Sequence, residues 1–268
     1  MSFQPAVPLG GLAGWSFLAR TREAQQEAFA GSTVIQRNLD YFRDNIGNVQ
    51  TAEELVNDRR LLTVALGAFG LSDDIANKFF IQKVLSEGTL DDESFANKLA
   101  DKRYFAMAEA FGFDLQPPNT VISTFADGIE ASYVTREFEV AVGDQDESLR
   151  LALSLERELP ALADRGLSEE AAWFTIMGTP PLRAVFEGAL GLPTQTGALD
   201  IERQLEIFQD KSLTAFGTSN PLELTTPEAQ EELIRKFLLR SEINAQASLT
   251  APGSVALSLL QSQVPLFP

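Results

Sequence analysis

The side chains best equipped for chemistry in this sequence are carboxylates, gathered in three short clusters: Ser72-Asp73-Asp74, Asp91-Asp92-Glu93 and Asp144-Gln145-Asp146-Glu147-Ser148. Oxygen ligands at alternate positions are how a calcium loop begins, and Asp144, Asp146 and Ser148 follow that spacing. The central glycine and the closing glutamate of such a loop are absent. A simpler role is available to each cluster, because acids at a helix start cap orphan N–H groups and complement the helix dipole. The sequence therefore assigns no catalytic residue, no metal ligand and no cofactor.

The rest of the reaction toolkit is missing. There is no cysteine and no histidine, which excludes disulfides, thiolate and imidazole metal sites, cysteine nucleophiles and Ser-His triads. No Gly-Lys dipeptide, Gly-x-Ser-x-Gly elbow or Ser-x-x-Lys spacing occurs, so phosphate-loop and common acyl-transfer motifs are excluded too. Arg59 and Arg60 form the one notable cationic pair. They are placed to grip a partner's carboxylate or phosphate, or to pair locally with Glu53, Glu54 or Asp58. Leu266 and Phe267, in the apolar stretch Val264-Pro265-Leu266-Phe267, are read either as an anchor packed on the body or as a peptide for a partner. These four residues, Arg59, Arg60, Leu266 and Phe267, are the candidate partner contacts.

Charge narrows the choice of partner. Twenty-one basic residues face 38 acidic ones, a net charge of -17 that repels nucleic acid and anionic membrane surfaces. The small basic group Lys98, Lys102 and Arg103 encloses Asp101, and an ion-paired helical face is expected there. No apolar run reaches membrane-spanning length, and Met1-Ser2-Phe3-Gln4-Pro5 is unlike a cleaved signal peptide. The expectation is a cytoplasmic protein, with export that needs no cleaved signal left open, and with protein partners rather than nucleic acid or membrane. Oligomeric state is not legible.

The elements that would carry these residues are helices. Start signals stand at Thr51-Ala52-Glu53-Glu54, a capping-box spacing, at Asp144-Gln145-Asp146-Glu147, at Ser168-Glu169-Glu170 and at Thr226-Pro227-Glu228. Stop signals share one form, small–apolar–glycine, at Ala68-Phe69-Gly70, Ala110-Phe111-Gly112, Ala189-Leu190-Gly191 and Ala215-Phe216-Gly217. Leu61–Leu71 matches Leu182–Leu192 at six of eleven positions, and recurrence at a fixed interval marks a duplicated unit. The first copy is apolar almost all round and should be central; the second carries Arg183 and Glu187 four apart and should have a wet face. A helix is predicted over 120–142, and another over 146–164 that Pro160 should kink or end. The expected fold class is all-α: two related multi-helix units in one elongated or two-lobed protein. The units divide as 1–118 and 119–250, hinged at Gln116-Pro117-Pro118-Asn119, with 251–268 a loosely ordered tail.

Asp40-Tyr41-Phe42-Arg43, Thr51 to Val56, Asp58 to Leu62, Ala65 to Leu71, Phe79 to Leu85 and Ala100 to Tyr104 together resemble an alphaproteobacterial family of unknown function whose genes often lie beside flagellar genes. The resemblance is densest over residues 30–115. It implies a repeated helical unit and a flagellar association, and it brings no catalytic residue with it. Two functions are then expected to compete: a non-enzymatic helical protein acting through contacts, as a flagellum-associated accessory or exported component, and a carboxylate-based enzyme or sensor using a divalent cation.

Overall fold

The computed structural model describes residues 3–250, with side chains through 245, and among these residues every regular element is helical. Thirteen α-helices follow in order: α1 (Gly11–Ala30), α2 (Thr33–Asn45), α3 (Ala52–Asn57), α4 (Arg59–Phe69), α5 (Lys78–Glu87), α6 (Phe95–Lys98), α7 (Lys102–Phe111), α8 (Phe125–Gly143), α9 (Glu147–Ala163), α10 (Glu169–Met177), α11 (Pro180–Leu190), α12 (Ile201–Phe216) and α13 (Pro227–Thr250). Short 3-10 turns join several of them. The all-α class is as expected.

The predicted start and stop signals act as local chemistry requires. Thr51 and Glu54 close a reciprocal capping box. The cap of α9 is Asp146, two residues after the expected Asp144, and it accepts from the N–H groups of Ser148 and Leu149; Ser168 accepts from Ala171, and Thr226 from Ala229. All four stop glycines are left-handed, with φ between 57° and 78°, a conformation that costs glycine nothing. They fall into two kinds. After α4, Leu71 N–H reaches the Leu66 carbonyl and Gly70 N–H that of Gly67; after α11, Leu192 reaches Glu187 and Gly191 reaches Gly188. Both are Schellman ends. Gly112 and Gly217 instead make the simpler single bond, to Ala108 and Leu213.

One core runs through the molecule, from Leu18 to Leu238, with Phe42, Phe111, Phe138, Trp173, Phe186 and Phe208 fully buried in it. α4 is central, packed on α8 and α2, and its residues Leu61, Leu62 and Val64 to Ala68 are all buried. α11 lies between α9 and α13, and its Arg183–Glu187 pair, at 2.7 Å, marks the predicted polar side. A small satellite cluster of Val84, Ala96 and Ala108 ties α5, α6 and α7 together beneath Phe80 and Tyr104.

Two helix predictions need correction. The helix expected over 120–142 starts at Phe125, because Asn119–Val121 forms a 3-10 turn in which the Thr120 hydroxyl donates to the Val49 carbonyl at 2.6 Å. Ile122, just before the helix, is 52% exposed. Pro160 does not end α9: the helix continues to Ala163. The proline removes one backbone donor, but burial of Leu159 and Leu162 on either side holds the last turn in place.

Two glycines set how closely the helices cross. A Cβ on Gly67 would stand 2.7 Å from the Tyr133 ring of α8, and one on Gly188 would stand 2.7 Å from the Phe237 ring of α13. Gly67→Ala and Gly188→Ala should each destabilise the protein by about 1–2 kcal/mol, overpacking outweighing the gain in helix propensity. Thermal melting of the two variants checks this, and each is expected to melt below the parent chain.

Candidate functional site

An opening of about 520 Å³ lies where the C-terminal ends of α4 and α8 face the N-terminal ends of α9 and α11. Its floor comes from Gly67 and Gly70 of α4, its rim from Asp73, Asp144 and Glu147, and its cations are Arg103 and Arg150. Two of the three acidic clusters singled out from sequence thus meet around one cleft; Asp91-Asp92-Glu93 lies elsewhere, between α5 and α6.

Most charges there already have partners. Arg150 forks onto the Glu147 carboxylate. Arg103 chelates Asp101 through Nε and Nη2, at 2.7–3.1 Å, and its Nη1 donates to the Gly70 carbonyl, so it clamps the end of α4 to the start of α7. Of the ion-paired face expected around Asp101, only the Arg103 pair forms: Lys98 pairs with Glu93, and Lys102 donates to the Asn97 and Leu99 carbonyls. Asp146 is spent on capping α9, and Asp74 accepts from the Tyr104 hydroxyl at 2.6 Å and from Asn77. Behind the cleft, half-buried Glu137 sits against Gly67 with Ser72 as its hydrogen-bond donor. Burial pushes its carboxyl above the ordinary range, and Ser72 offsets this only in part. Among the described residues no group of three or more carboxylates is arranged to hold a metal ion.

Sequence reasoning missed a ladder of charges beside this cleft. Glu139 of α8, 5% exposed, accepts two bonds from Arg157 of α9, at 2.7 and 2.9 Å. Glu158 then binds both Arg157 and Arg136, each at 3.0 Å. Burial and the neighbouring Arg157 lower the Arg136 pKa, while Glu158 holds its charge; Arg157 is raised in spite of burial because Glu139 hydrogen-bonds it. The four charges fasten α8 to α9. Arg136 also lies over Gly70, whose added Cβ would be 3.2 Å from its Nη1.

A second opening, about 430 Å³, runs along α11 and α13 beside Gly188, Gly191, Leu192, Arg240 and Ile243. Two of its glycine contacts have counterparts at the first. Gly188 sits under Phe237 as Gly67 sits under Tyr133, and Gly191 under Arg240 as Gly70 under Arg136. In both long helices the arginine follows the aromatic residue by three. That shared spacing was the sequence signal for the second half of the device. Here no helix among the described residues covers the arginine, and Ile243 is 63% exposed.

The predicted partner contacts fare unequally. Arg59 and Arg60 are both exposed at the start of α4. Arg60 is tied down: its guanidinium lies 3.9 Å from the Tyr41 ring centroid and donates to the Arg37 carbonyl at 2.8 Å, while Tyr41 donates to Asp58. Neither arginine forms an ion pair with Glu53 or Glu54 in place of a partner, and Asp58 is occupied in capping α4. Leu266 and Phe267 lie outside the described residues. No described helix is long and apolar enough to cross a membrane.

An all-helical protein is the class that this geometry defines. The comparison with known sequences gives the family. Residues 68–229, more than half of the chain, match the model described as Protein of unknown function (DUF1217), and the chain belongs to that family. The crystal structure of Protein AGR_C_984 from Agrobacterium tumefaciens is similar, with a TM-score of 0.71 and 26% sequence identity over 90% of this chain and 99% of that one. No curated protein matches.

Two substitutions test the electrostatics. Glu139→Leu should cost about 2–4 kcal/mol by leaving the Arg157 charge short of its main partner, and Glu139→Leu with Arg157→Leu should recover most of the loss; denaturant unfolding reads both. Because the folded-state pKa of Glu137 is raised, its contribution is complete below the ordinary value of 4.5 and is lost as pH rises through the folded value. Glu137→Gln should therefore raise the melting temperature at neutral pH, with the advantage shrinking as pH falls through the folded value and absent below 4.5.

Proposed function

We propose that the protein is a non-enzymatic adaptor built from two copies of one helical unit, acting through contacts with other proteins. The observation that carries this reading is the repeated device: a Schellman-capped helix crossing a long helix at a glycine, with an aromatic ring and then an arginine laid over it, in α4–α8 and again in α11–α13. The order of the end signals agrees. In each half a Schellman glycine (Gly70, Gly191) precedes a 3-10 turn, then a singly bonded glycine (Gly112, Gly217), then another 3-10 turn and the long helix. On this reading the units are α2–α8 and α9–α13, joined at Asp144–Asp146, a different division from the 1–118 and 119–250 expected from sequence.

The resemblance to a family whose genes neighbour flagellar genes makes the partner class flagellar, either as a cytoplasmic accessory or as a component exported without a cleaved signal. Exposed Arg59 at the start of α4 is the contact that this reading keeps from the sequence, with Arg60 held beside it. Affinity capture from a motile host should recover flagellar or export components, and a deletion strain should lose swimming or filaments. Recovery of metabolic enzymes alone, with normal swimming, counts against the proposal.

A carboxylate-based enzyme or sensor is the second reading, favoured by the approach of Asp73, Asp144 and Glu147 to one cleft. It requires a divalent cation to raise the melting temperature. The adaptor reading predicts no shift with Mg²⁺ or Ca²⁺; a shift abolished by Asp73→Asn and Asp144→Asn would favour the sensor.

A further inference from the structure

The cover of α8 comes from the chain that follows it. α8 ends at Gly143, residues 144–146 make the turn, and α9 runs back so that Arg157 and Glu158 meet Glu139 and Arg136. Aligned on the rings of Tyr133 and Phe237, α13 holds Arg240 where α8 has Arg136, and Ile243 where α8 has Glu139. This face of α13 borders the 430 Å³ opening along α11, with Gly188 and Gly191 beneath and Leu192 and Pro193 beside it. Ile243 is 63% exposed there.

The chain that follows α13 has the composition this face calls for. No Asp, Glu, Lys or Arg occurs from Ile243 to Pro268, in a chain that is 22% charged, while Leu257, Leu259, Leu260, Val264, Leu266 and Phe267 are all apolar. An uncharged stretch so rich in large apolar side chains gains by leaving water. Where the first face bears Glu139, its cover brings Arg157; where the second bears Ile243, the following chain brings no charge at all. Pro252-Gly253, just past the end of α13 at Thr250, carries turn chemistry.

The register agrees with the composition. Glu139 stands six residues before Gln145, the middle of the α8–α9 turn, and its partner Arg157 stands twelve after it. Ile243 stands nine before Pro252, and the same stagger falls fifteen after it, on Phe267.

From this continuity with the α8–α9 contact, and resting on the two-unit reading above, we infer that residues 251–268, which lie outside the described residues, fold back along α13 and close the α11–α13 groove, with Phe267 seated on Ile243. The occupant is then a strap from the same chain. A protein that binds in this groove has to displace the strap first, and tethering gives the strap a high effective concentration.

The chain has no cysteine, so an introduced pair reports a single contact. In the full chain, Ile243→Cys with Phe267→Cys should oxidise to an intramolecular disulfide in a yield independent of protein concentration. Ile243→Cys with Leu257→Cys is the reference, because an undocked segment closes the shorter loop at least as readily. The inference requires the pair at 267 to form several times faster. Ile243→Ala and Phe267→Ala should each lower the melting temperature, and the double variant should fall no further than the lower of the two. No disulfide at 267, or one that forms no faster than at 257, overturns the inference. So does a disulfide only between chains, rising with concentration, which would put a second copy in the groove. Additive melting shifts, or none, overturn it as well. Any of these failures leaves the adaptor reading to its own test, the capture of partners from the host.

Discussion

Close approach of helix backbones at a glycine is the constraint on which the rest of this structure depends. At Gly67 the backbone of α4 comes so near α8 that the Tyr133 ring occupies the space of a side chain, and at Gly188 α11 meets the Phe237 ring of α13 in the same way. Each crossing sits one turn before a Schellman end, so the chain stops, turns and buries Leu71, with half-buried Leu192 at the matching place, directly beside its closest contact. Backbone freedom, aromatic packing and helix termination are thereby combined in six residues. The arginine that follows each ring by three lies over the terminal glycine, where the helix C-terminus favours positive charge.

Charge serves the architecture more than it serves a reaction. A chain with 38 acidic residues has to place them where they are tolerated, and many stand at helix starts or against arginine. Asp58, Asp101 and Asp146 are caps; Glu139 and Glu158 anchor the two arginines between α8 and α9. A buried ladder of this kind adds little net stability compared with apolar packing, but losing one member is costly. It fixes the register of α9 on α8. Among the described residues no such ladder closes the matching face of α13.

Much of the fold was legible in the sequence because the signals were local. Capping residues such as Thr51 and Ser168, and glycine stops such as Gly70 and Gly191, act within a single turn, so their spacing carries the information. The match between Leu61–Leu71 and Leu182–Leu192 was equally plain. Long-range choices were hidden. Nothing near Thr120 announces its bond to Val49, which keeps 119–121 out of α8, and nothing near Pro160 announces that Leu159 and Leu162 are buried deeply enough to carry the helix past it. The Glu139–Arg157 and Arg136–Glu158 pairs were invisible as pairs, because each links residues 18 or more positions apart across two helices. The open face of α13 was invisible for a different reason: exposure depends on what covers a helix, and that is decided elsewhere in the chain.

The account rests on two equivalent crossings sharing a single core, and native-state hydrogen exchange tests this most directly. The N–H groups of Leu71 and Leu192 close the two Schellman ends, so they report on the two crossings separately. The account predicts that both exchange only through global unfolding, with the same free energy and the same dependence on denaturant. Exchange of one through a local or sub-global opening, while the other stays protected to the global limit, would contradict it.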